Sequence, residues 1–443
     1  MNKQAFMEEL LRLAKEAGCE EAETYAAASE SFSVNVLDGD FDRYESSLTD
    51  GVSLRVKVKG KDGYAYTEAF EDADSLVKKA MDNAAVLKAG EVHPMQMAKA
   101  YRTIEKKENA TAKLSPEERI ELARRMEKTA KECDERVIRM AECMVGVAGG
   151  SVEMKNTLGL NAAREAKTAF CFCETVIKDG DEIRTGGAFR SGDEVLDVDG
   201  CAKEAVRDAL DKLHSAPVKS GRYTLILKNS AAADILGGFS SVFSAEAVQK
   251  GLSLLKDKEG ETIASSCVTV WDDPTHPMAD IPFDDEGTPT YRKAVVDNGT
   301  LTTFLHNLKT AAKAGCESTG NASRPSAASA VGVAPSVFYM EAGEGNFDTL
   351  VAEMADGLVI TDVEGLHSGL NSISGDFSLK AQGYLVEDGK RVRAVNEITV
   401  AGNFLELLKN VKKVGSDLKF GLPFGSIFGS PSLLIENVAV GGK

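Results

Sequence analysis

The sequence predicts an α+β fold, with a duplicated helix–four strand–helix N-terminal region and a β-rich C-terminal domain. Three observations carry that prediction. Helical periodicity opens and closes two successive segments, alternating stretches lie between those helices, and beyond residue 219 strand patterns outnumber helical ones. At 443 residues the chain is too long for one ordinary core. It divides into an N-terminal α/β unit (1–110), a second α/β unit packed with the first (111–218) and the C-terminal domain (219–443).

The first unit opens with Phe6, Leu10, Leu13, Ala14 and Ala17 at helical spacing, and Gly18 ends that helix. Four alternating stretches follow: "EAETYAAAS", "SFSVNVLDG", "GVSLRVKVKG" and "DGYAYTEAF". A helix from about Asp72 to Val86 closes the unit, and 81–115 reads as a linker. The second unit starts at "SPEER", with Ser115 as N-cap, Pro116 in the first turn and Glu118 placed for a capping box. Its strand candidates are "ERVIRMAECMVGV", "GSVEMKNT", "LNAAREAKTAFCFCETVIK" and "EIRTGGAF", and "DGCAKEAVRDALDKLHS" closes it. The turns "GKDG" (60–63) and "KDGD" (178–181) correspond, which supports duplication. Two unrelated α+β segments of similar length would give the same pattern. A boundary near "SAPVKSGRY" precedes the strand "YTLILKN". Beyond it, one helix is expected from about Ala231 to Gly251 and another after Asn403, an N-cap with Glu406 three residues on. Asn298-Gly299 and Asp388-Gly389 mark hairpins.

Composition narrows the function. Net charge is −17, and no concentration of Lys and Arg offers a footprint for a nucleic-acid backbone. No apolar run approaches the ~18 residues that span a bilayer, and Glu8 and Glu9 interrupt what a secretory signal would need. Eight scattered cysteines suggest reduced thiols in a cytoplasm.

Candidate chemistry is sparse. The five histidines never pair at short range, so a zinc motif is missing from the sequence as it stands. Cys171 and Cys173 share one strand face, which suits a metal, a redox pair or two small core residues. "GLHSGLNSISGDFS" (365–378) holds His367, Ser368 and Asp376, but triads are drawn from separate segments and the stretch also suits a turn-rich loop. His306 ends a strand at "FLHN" and reads as structural or surface. "SAEAVQKGLS" (244–253) looks like a metalloprotease helix without its ligands. Glu246 could serve as a base beside a metal-bound water, yet Ala245 has no donor atom, and Lys250 would have to lose a proton held to ~10.4.

That stretch, with "LHNLKTAAKAGCESTGNASRP", "GLHSGLNSISGDFSLKAQGYLVEDGK" and "VNEITVAGNFLELLKNVKKVGSDL", resembles the TldD/PmbA proteins, once called modulators of DNA gyrase. The resemblance covers nearly the whole chain and is to the PmbA branch, also called TldE. In the TldD branch the resemblance implies a His-Glu-x-x-x-His helix and a distant cysteine holding zinc. Here those positions are Ala245, Glu246 and Lys250, and the cysteine's region is Val363 to Leu366. Five residues at ~100° set the two histidine positions ~140° apart on a regular helix, so a working motif needs a distorted turn.

What the resemblance implies is a subunit without a cofactor of its own. It would pair with a TldD-like zinc subunit as a heterodimer, or with itself when isolated, and act in the cytoplasm on unfolded peptides or in peptide maturation. The membrane and direct nucleic-acid contact are not expected. Glu246, Lys250, His306, His367 and Asp376 are the candidates for a substrate groove, with no catalytic residue assigned. Two other readings stand beside it. One is a metal-independent homodimeric peptide-binding or modulator protein; the other is a hydrolase using an unrecognised site such as Glu246 or His367.

Overall fold

A computed structural model describes residues 1–86, 93–104, 108–423 and 425–443. The linker expected over 81–115 therefore lies partly outside the described residues, at 87–92 and 105–107, and its first residues belong to a helix. The first N-terminal unit runs α1 (Lys3–Glu16), β1 (Glu21–Leu37), β2 (Asp40–Val58), β3 (Lys61–Thr67) and α2 (Ala73–Val86). The second runs α3 (Pro116–Cys133), β4 (Val137–Asn156), β5 (Asn161–Asp179), β6 (Glu182–Gly192) and α4 (Val198–Asp211). Their strands form one antiparallel sheet in the order β3-β2-β1-β4-β5-β6.

Each unit has three strands between its helices, where four were expected. "EAETYAAAS" and "SFSVNVLDG" are one strand, β1; "ERVIRMAECMVGV" and "GSVEMKNT" are β4. The polar run Ser29–Ser31 and the pair Gly149-Gly150 read as breaks. Neighbours on both sides hold them extended: Glu30 lies opposite Leu48 on β2 and Gly149 on β4. A break there would orphan backbone groups on two ladders at once.

The helices start as their caps dictate. Ser115 Oγ accepts from Glu118 N–H (3.2 Å) while a Glu118 carboxylate oxygen accepts from Ser115 N–H (2.7 Å). In both units a glycine on the outer strand lets the closing helix approach. A Cβ at Gly63 would stand 2.0 Å from the Ala80 carbonyl oxygen, and one at Gly186 2.2 Å from Ala209 N.

The C-terminal region begins with β7 (Gly221–Leu227), α5 (Asn229–Gly238), α6 (Ala245–Gln249), β8 (Val270–Asp272), β9 (Lys293–Asp297), β10 (Thr300–Leu301) and α7 (Leu308–Ala314). It continues through β11 (Ala322–Ser323), β12 (Gly332–Val333), β13 (Val337–Met340), α8 (Phe347–Met354), β14 (Gly357–Glu364), α9 (Leu366–Gly369) and β15 (Asp376–Glu387). It ends with β16 (Lys390–Asn403), α10 (Phe404–Lys409), β17 (Val411–Val414), β18 (Lys419–Phe420), β19 (Ile427–Ser430) and β20 (Leu433–Gly441). Two six-stranded sheets result, β10-β9-β8-β13-β19-β18 and β16-β15-β14-β7-β20-β17. One apolar core draws on both and takes in α5 and α6, with Phe239 stacked on Phe404 at 4.4 Å. Asn298-Gly299 and Asp388-Gly389 all take positive φ, as two-residue hairpins require.

Two expected helices are shorter in the structure. The helix after Asn403 ends at Lys409, because Val411–Val414 pairs with β20 as β17. The helix expected over 231–251 is divided into α5, a 3₁₀ turn (Ser240–Phe243) and α6. Ser244 is extended and bridges Leu305, so the helical ladder is interrupted there.

Candidate functional site

The retained glutamate sits on α6, five residues fixed at both ends. Ala245 N–H donates to the Leu305 carbonyl (2.9 Å). Gly251, at φ +72°, reverses the chain, and Leu252 N–H returns to the Ala247 carbonyl (2.8 Å). Gln249 Nε2 donates to the Thr310 carbonyl on α7 (2.8 Å), and Ser253 Oγ to the Val242 carbonyl (2.6 Å). Ala245 is buried in the core beside Phe243. These bonds explain the helix as architecture.

Its outward chemistry is a single ion pair. Lys250 Nζ stands 2.7 Å from Glu246 Oε1, the lysine side chain 61% exposed and the glutamate 36%. The positions matching a zinc motif do not fit a zinc ion. Ala245 offers no donor, Lys250 Nζ is already paired with Glu246, and residues 363–366 (Val, Glu, Gly, Leu) carry no thiol. Among the described residues no group of three or more His, Cys, Asp or Glu is placed to hold a metal.

The other candidates sit in separate surroundings. His306 follows the residue that bridges Ser244, and it is buried. Its N–H donates to Thr319 Oγ1 (2.6 Å), its carbonyl accepts from Asn321 N–H (3.2 Å), and its Nδ1 has no partner among the described residues. Burial lowers its pKa and favours the neutral ring. His367, on α9, is exposed, and Ser368 Oγ bonds locally to the Gly365 carbonyl (3.4 Å). Asp376 accepts from Asn403 Nδ2 (3.1 Å), and hydrogen bonds from Asn403 and Ser374 hold its carboxyl below the ordinary range. Asn371 Oδ1 accepts from Ile373 and Ser374 N–H, so this stretch is a turn shaped by its own side chains. It touches the exit of α6 where Leu254 N–H meets the Ser372 carbonyl (3.0 Å). Among the described residues no hydrogen bond or ion pair joins His367 or Asp376 to Glu246 or Lys250. Cys171 and Cys173 are buried in the second unit's core, Cys173 opposite Cys143 in the β4–β5 register.

Sequence reasoning missed a buried charged network between the N-terminal sheet and the C-terminal region. Glu286 Oε1 lies 2.5 Å from His93 Nε2, and its Oε2 accepts Leu308 N–H (2.7 Å) at the start of α7. Asp284 accepts three backbone N–H groups, from Glu286, Thr288 and Ala322. Asp285 takes Tyr25 OH (3.0 Å), Arg164 Nη2 (2.6 Å) and Arg324 N–H (2.7 Å). Burial raises the pKa of Asp284 and of Glu286, whereas burial and the Arg55 charge push His93 down to about 3. A cleft of about 480 Å³ is lined by Tyr25, Arg164, Asp285 and Arg324 of this network together with Ala27 and Gly150; none of the five groove candidates lines it. "FDDEGTPT", three acids between an apolar residue and a glycine turn, was the available signal.

Comparison with known proteins agrees over almost the whole chain. Models for the PmbA/TldA metallopeptidase match domain 1 at 22–84, the central domain at 110–213 and the C-terminal domain at 220–442. A metalloprotease of Methanothermobacter thermautotrophicus is 27% identical across 96% of each chain. Metalloprotease PmbA of Escherichia coli O157:H7 is 29% identical across 70% of this chain and 67% of its own. A modulator-of-DNA-gyrase structure from Thermotoga maritima superposes with a TM-score of 0.91 at 35% identity, covering 99% of this chain and 100% of that one. TldE from Thermococcus kodakarensis gives 0.89 at 25% identity, covering 99% and 100%. With all three domains matched in order and the fold shared along this length, the chain belongs to the PmbA/TldD metalloprotease family.

Proposed function

We propose that this chain is the PmbA/TldE-like, zinc-free subunit of a TldD-type metalloprotease. In this reading it pairs with a TldD-like zinc subunit in the cytoplasm, helps enclose a chamber, and supports the processing or degradation of unfolded peptides there. The observation that carries the proposal is the Lys250–Glu246 pair at 2.7 Å, on a helix whose other motif position is alanine. A zinc-activated water needs an open coordination position beside a free carboxylate. Here the carboxylate already faces an ammonium. The firm anchoring of α6 by Leu305, Thr310 and Val242 supports a helix kept for shape. All eight cysteines are free, consistent with a reducing compartment.

The test is cleavage of an unfolded, fluorescently labelled casein by the purified chain, alone and after reconstitution with a TldD-like chain from the same genome. Cleavage is expected only in the reconstituted sample. Zinc-dependent cleavage by this chain alone would sink the proposal.

A further inference from the structure

The cleft between the N-terminal sheet and the C-terminal loops holds two arginines whose donors are underused. Arg324 is buried, its side chain 3% exposed and its guanidinium 4.4 Å from the Tyr25 ring centre. Its backbone N–H donates to Asp285, but its guanidinium makes no hydrogen bond among the described residues, and Nε and Nη2 are buried without an acceptor. Glu23 Oε1 stands 3.7 Å from Nη2, within ion-pair range and beyond a hydrogen bond. Arg164 spends Nη2 on Asp285 (2.6 Å) and leaves Nε buried without an acceptor, while its side chain is 21% exposed. A guanidinium carries five N–H donors, and folded proteins rarely leave buried donors unmade.

The space beside these arginines is shaped for a ligand. Ala27, Gly150 and Ala166 line the cleft from β1, β4 and β5, with Gly150 directly opposite Ala166. Ala26 packs with α1 and α2, so the cleft lies on the other face of the sheet. Small side chains keep that face open beneath the loops at 279–282 and 325–328. The volume of about 480 Å³ is that of a small-ligand pocket.

Charge limits what the pocket takes. Glu68 and Asp280 also line it, but Glu68 accepts Tyr66 OH (2.7 Å) and Asp280 is paired with Arg102. With these, Asp285 and Glu23 close by, a doubly charged phosphate meets repulsion. Burial raises the pKa of Glu23, which lessens its neutralisation of Arg324. A planar, singly charged carboxylate matches the guanidinium fork.

We infer that Arg164 and Arg324 bind the terminal carboxylate of an extended peptide lying in this cleft. The choice of a carboxylate comes from the arginines and their neighbours; that it belongs to a peptide rests on the proposed role in handling unfolded peptides.

Isothermal titration calorimetry of the full chain tests this with N-acetyl-trialanine bearing a free C-terminal carboxylate, the same peptide as its C-terminal amide, and acetate. The peptide acid is expected to bind about tenfold tighter than the amide, because charge-assisted hydrogen bonds are the stronger ones, and tighter than acetate. Arg164→Gln and Arg324→Gln are each expected to abolish the preference for the acid, with circular dichroism to check folding. Arg324 is buried, so Ala166→Leu supplies a variant that keeps both arginines. At an exposed position opposite Gly150 it fills the cleft, and it is expected to weaken the acid about tenfold. Acid and amide bound alike, or acid binding unchanged in Arg164→Gln and in Ala166→Leu, would overturn the inference. Acetate bound as tightly as the peptide acid would overturn the peptide as the source of the carboxylate. Casein cleavage by the reconstituted pair is a separate readout: cleavage without acid preference sinks this inference alone, and acid preference without cleavage sinks the proposed function alone.

Discussion

Glu246 and the His93–Glu286 pair make opposite demands on prediction at the scale of single residues. Glu246 was legible from the motif frame, and the structure gives it only an exposed partner four residues on. Such pairs contribute ~0.3–0.5 kcal/mol, so Glu246→Ala should barely move stability and should leave cleavage by the reconstituted pair intact. Loss of cleavage with assembly unchanged would make the glutamate catalytic. His93 and Glu286 lie 193 residues apart, and no local pattern could join them. Their titration predicts a pH profile. Folding pushes His93 from 6.5 down to about 3, so its contribution grows as pH rises and is complete near 6.5. Burial raises Glu286 from 4.5 to about 7 and Asp284 from 3.8 to about 8. Their contribution is full below 4.5 and 3.8 and is lost as pH climbs through about 7 and 8. Of these three groups only the carboxylates still act above pH 6.5, so Tm should fall between about pH 6.5 and 8. Glu286→Gln should make that fall shallower. A wild-type Tm that rises across the window would contradict the assignment.

At the scale of elements, local chemistry was readable wherever neighbours in sequence decide the conformation. The capping box at Ser115 and the hairpins at Asn298-Gly299 and Asp388-Gly389 were of this kind. The merged strands β1 and β4 were not, because their central polar and glycine residues are held by partners on either side. The division between α5 and α6 also comes from outside, through the bridge from Ser244 to Leu305. The two units share a subtler feature in Gly63 and Gly186, each under a closing helix. A side chain at either would collide with helix backbone, at 2.0 Å and 2.2 Å. Overpacking of this kind costs ~1–3 kcal/mol, so Gly63→Ala and Gly186→Ala should each lower the unfolding free energy by about that much and shift the denaturation midpoint down. An unchanged midpoint in either would show that the helix approach is not tight.

For the whole molecule, the α+β class and the strand-rich C-terminal region were legible because periodicity survives without knowledge of contacts. The packing of the N-terminal sheet against the C-terminal loops was not, since Tyr25, Arg164 and Asp285 meet only in three dimensions. No helix among the described residues is long and apolar enough to cross a membrane. The proposed role follows from an absence of ligand chemistry on a preserved frame: Ala245, a paired Lys250 and a thiol-free 363–366 in a metalloprotease family fold. The most direct test is the zinc content, by mass spectrometry, of the chain alone and of its complex with a TldD-like partner. The account predicts no bound zinc in the isolated chain and about one ion per heterodimer, as expected when only the partner has a ligand set. Stoichiometric zinc in the isolated chain would contradict it.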